Sequence, residues 1–391
     1  MSMQALTDFD SAPFEIIDGD RGKNYPKQHE FSDFGYCMFL SATNVTCNGF
    51  DFSQCQFITE QKDNVLRKGK LERDDVVLTT RGTIGNTAFF NSLVSHDQMR
   101  INSGMVILRC NREEILPAYL YHFLRSPQFH GQVNSLRSGV AQPQLPIRDM
   151  RRIKMPLPKL SVQQRIASIL SAYDDLIENN RRRIQLLEES ARLLYREWFG
   201  RLRFPGHEHI KIIDGVPEGW KKKQVKHVLG NVKRPRKIKK SEFLHDGQIP
   251  CVDQSRDFIG GYTEDQKAVI DEGKPIIVFG DHTRILKFVD FPFACGADGT
   301  QLIVSHDEAL SQEYLYFSLD AVDLSNYFYA RHFKFLKDQY IPVPTKSLIA
   351  TFTATADPVM KQVKTLRELT HKLAKARDLL LPRLMNGEIK V

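Results

Sequence analysis

Residues 153–199, IKMPLPKLSVQQRIASILSAYDDLIENNRRRIQLLEESARLLYREWF, decide how this chain is organised. Apolar or seam positions recur at Val162, Ile166, Ile169, Tyr173, Ile177, Asn180, Ile184, Leu187, Ala191, Leu194 and Trp198. Steps of three and four predict one amphipathic helix. Ser161 with Gln164 has the spacing of a capping box, and the polar step at Ser171 allows a break. Two successive steps of four around Ile177 form a stutter, and Asn180 sets an amide on the seam where it can fix register. A helix of about 36 residues is about 54 Å long, and an apolar stripe of that length needs a partner.

The partner is predicted at the other end of the chain. Phe352, Ala356, Val359, Val363, Leu366, Thr370, Leu373, Arg377, Leu380 and Leu384 repeat the pattern more strictly. Asp357 followed by Pro358 reads as the start of that helix, after a short turn through Ile349 and Phe352. Working outward, the segments before the two helices match in order. DDVVLTTRGTIGNTAFF, MVILRC, PAYLYHFL and IKMPLP in the first half correspond to KPIIVFGDHTRILKFV, QLIVS, QEYLYFSL and YIPVPT in the second. Tyr119 and Tyr314 are 195 residues apart, Pro156 and Pro342 are 186 apart, and Gly200 and Gly387 are 187 apart. Near-constant separations indicate duplication. Two copies related by an approximate two-fold would pair their helices antiparallel, with the globular parts at opposite ends.

The expected fold is therefore α+β: two mixed α/β domains joined by two long antiparallel coiled-coil helices. The divisions fall at 1–157 (first domain), 158–203 (central helix), 204–345 (second domain) and 346–391 (terminal helix).

An apolar fraction of 41%, a charged fraction of 26% and no run of about 20 apolar residues describe a globular chain without a membrane span. The first dozen residues lack the basic and apolar regions of a secretory signal, which points to the cytoplasm. Six scattered cysteines make neither a zinc pattern nor a disulfide framework. The net charge of +8 favours a polyanionic partner, and Lys221–Lys240 carries ten Lys or Arg and no acid. Phosphate-loop, dinucleotide, nucleophile-elbow and zinc-helix motifs are absent, and there is no Pro-Pro dipeptide for an amino-methyltransferase site. His207 and His209 lack a third ligand, and Glu388 with Lys390 lacks the other half of a nuclease site. No catalytic or metal site is expected.

The helical string above, the terminal PVMKQVKTLRELTHKLAKARDLLLPRLMNGEI, DGDRGKNYP near the start and VDQSRDFIGGYTED in the second half resemble the specificity subunits of type I restriction-modification systems. The resemblance covers essentially the whole chain. The P-L-P-x-x-x-x-Q-Q-R-I-A opening carries it most specifically, and TKSLIATFTATADP departs from it in the second copy. It implies two target recognition domains, each reading one half of a split duplex DNA sequence, with the helices as spacer. It further implies two modification (methyltransferase) subunits and restriction (translocase-nuclease) subunits as partners. S-adenosylmethionine, ATP and Mg²⁺ would then sit in those partners, with no cofactor on this chain. The alternative is a coiled-coil adaptor or an inactive relative that binds protein or RNA.

Candidate DNA contacts follow from residue type and predicted loops. In the first domain these are Arg21, Lys23, Asn24 and Lys27, then Arg81 and Thr83 in the R-G-T-I-G turn, then Arg137, Gln142 and Gln144. Arginine pairs bidentately with guanine or clamps phosphate, and glutamine reads adenine. The bland reading of Gly82 and Gly85 is a hairpin turn alone. In the second domain Lys233, Arg234, Arg236, Lys237, Lys239 and Lys240 form a phosphate-facing run. Gln254, Arg256, His282, Thr283, Arg284, Arg331, His332 and Lys334 complete the set, with Asp253 beside them.

Overall fold

The structure is a computed structural model and describes residues 6–138, 143–213, 215–297, 299–327 and 331–391. The chain divides into two compact units, Met1–Asn179 with Thr370–Val391, and Asn180–Leu369. Both boundaries fall inside the long helices, so each unit contains one globular head and one end of each helix.

In the first unit, strands Phe14–Asp18, Met105–Cys110, Val76–Thr79 and Thr87–Phe89 form an antiparallel sheet in that order. The first four residues of MVILRC are apolar without alternation because both faces are covered there. Val106 and Leu108 point to a core shared with Tyr119, Leu120, Phe123 and Phe129. Met105 and Ile107 pack instead against Met38, Leu40 and Ile101 of a second sheet. In that sheet Cys37–Leu40 runs parallel to Met99–Ile101.

The second unit repeats the plan. Ile276–Gly280 lies between Leu286–Val289 and Thr300–Ile303, and Ile249–Val252 runs parallel to Phe293–Cys295. Ile277 and Phe279 face the helices, while Ile276 and Val278 face the other sheet. A hydrogen bond marks the equivalence. Tyr119 Oη donates to the Pro156 carbonyl at 2.9 Å, and Tyr314 Oη donates to the Pro342 carbonyl at 2.8 Å. Lys221–Gln224 pairs with Tyr340–Val343 as Leu6–Asp8 pairs with Lys154–Pro156. The first part of the basic run is therefore a strand and is structurally separate from Lys233–Lys240.

The central helix spans Leu160–Tyr195 and closes in a wider turn over Arg196–Gly200; the terminal helix spans Lys346–Met385. In the first unit Ile166, Ala167 and Leu170 pack with Leu381, Leu384 and Met385. In the second, Ala191, Tyr195 and Phe199 pack with Ile349, Phe352, Ala356 and Met360. Rising numbers on one helix meet falling numbers on the other, so the pairing is antiparallel within each unit.

All the expected seam residues fall on the covered side. Ile166, Ile177, Asn180, Val363 and Leu366 are buried, whereas Ile169, Tyr173, Ile184, Leu187, Leu194, Trp198, Leu373 and Leu380 are half-buried. The stripe is wider than the seam alone, since Ala167, Leu170, Tyr195 and Phe199 are buried too. The Asn180 amide nitrogen is buried and, among the described residues, has no hydrogen-bond partner.

Three local expectations are corrected. Ser161 is not the cap, because the helix starts at Leu160. Gln163 turns back instead: its Nε2 donates to the Glu114 and Pro158 carbonyls, and its Oε1 accepts from the Leu116 amide. The helix does not break at Ser171, whose hydroxyl is 3.1 Å from His122 Nε2. The terminal helix runs through Asp357 and Pro358. An interior proline costs about 3 kcal/mol. Phe352, fully buried among the rings of Tyr195, Trp198, Phe199, Tyr314 and Phe317, gives the preceding turn more than that. Asp357 serves Lys361 one turn on, at 2.7 Å.

Candidate nucleic-acid interface

At one end of the first head, several loops meet around Gly104. The carbonyl of Gly104 accepts from the Thr80 and Arg81 amides at 2.8 and 3.1 Å, and the Thr80 carbonyl accepts from the Leu145 amide at 2.9 Å. Gly85 N–H returns to the Thr79 carbonyl with φ of +91°, closing the turn that presents Arg81. The turn at Ala42 joins through Thr83, whose hydroxyl donates to the Ala42 carbonyl at 3.4 Å. Ser138 and Gln144 exchange backbone hydrogen bonds beside Arg81.

The Asp18–Gly22 loop packs onto the same edge. A Cβ on Gly19 would lie 2.2 Å from the Asn102 carbonyl oxygen, so only glycine permits that approach. Arg21 bonds Asp18 and the Ser103 carbonyl, each at 3.2 Å. Asp20 accepts from the Gly22 and Arg67 amides. Burial alone would raise its carboxyl, but those amides hold it below the usual range. Farther in, Asp63 and Arg100 form a buried pair at 2.8 Å, joined by Lys70, which anchors the strand leading into Asn102.

The second head builds the same tip with different side chains. Asp281 N–H donates to the Gly299 carbonyl at 2.7 Å, His332 N–H to the Asp281 carbonyl at 2.9 Å, and Arg284 N–H to the Gly280 carbonyl at 2.8 Å. These three bonds are the counterparts of Thr80–Gly104, Leu145–Thr80 and Gly85–Thr79. His282 therefore occupies the Arg81 position, Arg331 the Gln144 position and Arg284 the Gly85 position. Arg284 adopts φ of +62°, the left-handed conformation that glycine supplies in the first head.

A neighbouring loop supports His282. Gln254 Oε1 accepts from the His282 amide at 3.1 Å, and its carbonyl accepts from Thr283 Oγ1 at 2.7 Å. That loop is held from below by Lys287, which donates to the Asp253 carbonyl at 2.7 Å and to the Asp257 carbonyl, with the Asp253 carboxylate 3.7 Å away. Burial outweighs the Asp253 and Asp257 charges and brings the Lys287 amine down to about 8.

The remaining candidates sort by exposure and by what their donors already hold. Lys23, Lys27, Arg137, Lys233, Arg234, Lys239, Lys240 and Lys334 are exposed. Arg256 is exposed and already engaged within the protein. Asn24 donates to the Val65 carbonyl, and Lys237 to the Thr300 carbonyl. Arg236 is committed to Glu242 at 2.6 Å and Asp265 at 3.1 Å. Gln142 lies outside the described residues.

Two further candidates are engaged within the fold. His332 is buried, with Nε2 accepting from Arg284 Nε at 3.3 Å. Burial and the Arg284 charge lower its pKa, so it is a neutral internal support. Arg284 is exposed, but its guanidinium is already engaged, also bonding the Leu324 and Tyr327 carbonyls. Asp253, also buried, caps its own loop through Ser255. Gly104 and Gly299 were missed as the pivots of both tips. They are 195 residues apart, the separation of Tyr119 and Tyr314, so the repeat register carried the signal. Among the described residues, no group of His, Cys, Asp and Glu is arranged to hold a metal, and no helix is long and apolar enough to cross a membrane.

A family model described as "Type I restriction modification DNA specificity domain" matches residues 14–189 and again residues 217–355. The chain is 23% identical over 368 residues to the specificity subunit of the type I restriction enzyme MjaIX of Methanocaldococcus jannaschii, covering 86% of this chain and 84% of that one. It is 24% identical over 187 residues to the HindI specificity subunit of Haemophilus influenzae, covering 46% of this chain and 39% of that one. Among solved structures, the S subunit of a type I restriction-modification system from M. genitalium aligns with a TM-score of 0.54 at 16% identity, over 98% of this chain and 96% of that one.

Proposed function

Since the chain belongs to the type I restriction-modification DNA specificity family, we propose that it is the DNA-reading subunit of a type I restriction-modification enzyme, each head reading one half of a split duplex target. The observation that carries this is the doubled tip. Two heads present an edge built on the same backbone hydrogen bonds but bearing different side chains, as an asymmetric two-part target requires.

The chemistry belongs to partners. Modification subunits bring S-adenosylmethionine to an adenine in each half-site, and restriction subunits bring ATP- and Mg²⁺-dependent translocation and cleavage. This chain positions them. Exposed cations at Lys23, Lys27, Lys233, Arg234, Lys239 and Lys240 supply sequence-independent phosphate contacts, and the tips supply base readout.

The test is long-read mapping of adenine methylation in cells expressing this chain with its cognate modification subunit, against cells expressing that subunit alone. A split, asymmetric motif that appears only with this chain is expected. No motif, with the two subunits shown to associate, would overturn the reading in favour of an adaptor.

A further inference from the structure

We infer that Arg81 and His282 are the paired base-reading residues of the two heads, Arg81 directed to a guanine in one half-site and His282 to a purine in the other. This rests on the DNA-reading function proposed above and deepens it.

Most polar side chains at the two tips are already spent on the fold. Arg21 holds Asp18 and the Ser103 carbonyl, and Thr83 reaches Ala42. In the second head Gln254 supports His282, Lys237 bonds Thr300, and the Arg284 guanidinium is held by His332 and the Leu324 carbonyl. Arg81 and His282 differ in three respects. Both are exposed; both occupy the same place in the repeat; and neither side chain has a hydrogen-bond partner among the described residues.

The backbone beneath them is fixed from two sides. One clamp is the glycine carbonyl across the tip, Gly104 or Gly299, and the other is the bond from Leu145 or His332. Gly299 has φ of +70°, and a Cβ there would come within 2.6 Å of His282 Cδ2, so the glycine also makes room for the imidazole. A free donor on a rigid turn loses little entropy when it meets a base edge.

The two groups are not equivalent as readers. A guanidinium spans O6 and N7 of guanine with two parallel hydrogen bonds. An imidazole has no parallel pair of donors, and one ring N–H is enough for N7 of either purine but not to separate guanine from adenine. The half-site read by the first head should therefore hold a strictly specified guanine, and the other a less strictly specified purine.

The experiment uses the complex of this chain with its cognate modification subunit and maps methylated motifs for wild type, Arg81→Ala, Arg81→Lys and His282→Ala. A wild-type complex without a split motif defeats the function itself; the rest applies once that motif is in hand. Arg81→Ala should relax one guanine position in one half, raising methylation of the other bases there about ten-fold relative to guanine. His282→Ala should relax one position in the other half, by less. Arg81→Lys keeps the charge and loses the fork, so it should relax the same position as Arg81→Ala. Unchanged motifs in the alanine variants overturn the inference. So does a uniform drop at all sites without altered base preference, which would assign both residues to phosphate. Recovery of full specificity by Arg81→Lys overturns it equally, because a point charge would then suffice.

Discussion

Replacing Asp174 with asparagine should loosen the first head from the helix ends within its own unit. The Asp174 carboxylate bridges Arg125 on the head at 2.6 Å and Arg377 on the terminal helix at 2.5 Å. Both arginine side chains are mostly buried, at 13% and 14% exposure, and Asp174 retains 24%. His122 lies alongside, 3.8 Å from Asp174, and burial pushes it down to about 3, so it adds no charge. Hydrogen bonds to charged groups are worth about 1.5–3 kcal/mol each. With two bonds, and the low end chosen for the residual exposure, Asp174→Asn should cost about 3 kcal/mol. The change preserves shape, so the loss belongs to charge. Expressed as local opening, 3 kcal/mol is about two orders of magnitude in the equilibrium constant. Amides of helix Pro117–Phe123 should lose about a hundred-fold of their hydrogen-exchange protection, while those of Gln312–Asp320 keep theirs. The pH dependence has a definite sign. Burial alone would raise the Asp174 carboxyl, but the charges of Arg125 and Arg377 hold it below its ordinary value. Its stabilisation is complete above the unfolded carboxylate range and is lost as pH falls through the lower folded value. A change in protection of less than about two-fold would refute the argument and reduce the bridge to a screened surface contact.

Lys287 makes a prediction for the alkaline range in the second unit. Its folded amine titrates near 8 against 10.5 when free, so the unfolded chain binds the extra proton between those values and stability from this group rises over that window. The difference in melting midpoint between wild type and Lys287→Met should drift in favour of wild type from pH 8 to 10; a constant difference would show that the lysine does not titrate. Tyr119→Phe and Tyr314→Phe each delete the hydroxyl bonded to the proline strand, leaving a carbonyl unpaired. Each should cost about 1 kcal/mol in denaturant unfolding of its own unit, and a cost confined to one copy would mean that the two bonds are not counterparts.

The duplication and the two long helices were legible in the sequence because they rest on local periodicity and on motif spacing. Steps of three and four mark a stripe whatever covers it, and the MVIL of Met105–Leu108 is apolar without alternation, as a strand segment covered on both faces tends to be. Helix starts were not legible at the same level. Ser161 and the Asp357–Pro358 pair carry local start signals, yet one is overridden by Gln163 bonding to Glu114 and the other by rings surrounding Phe352. The candidate interface divides in the same way. Sequence alone indicates which loops are rich in cations and amides, and the repeat register pairs them. It cannot show that Arg284 is occupied by carbonyls 40 and 43 residues away, or that His332 is buried beneath it. Nor does it show that the turn presenting Arg81 is clamped by a glycine on another strand. A side chain's availability depends on which donors the fold has already used, and those partners are distant in sequence, so only the tertiary structure decides which of many basic residues remain free to meet DNA.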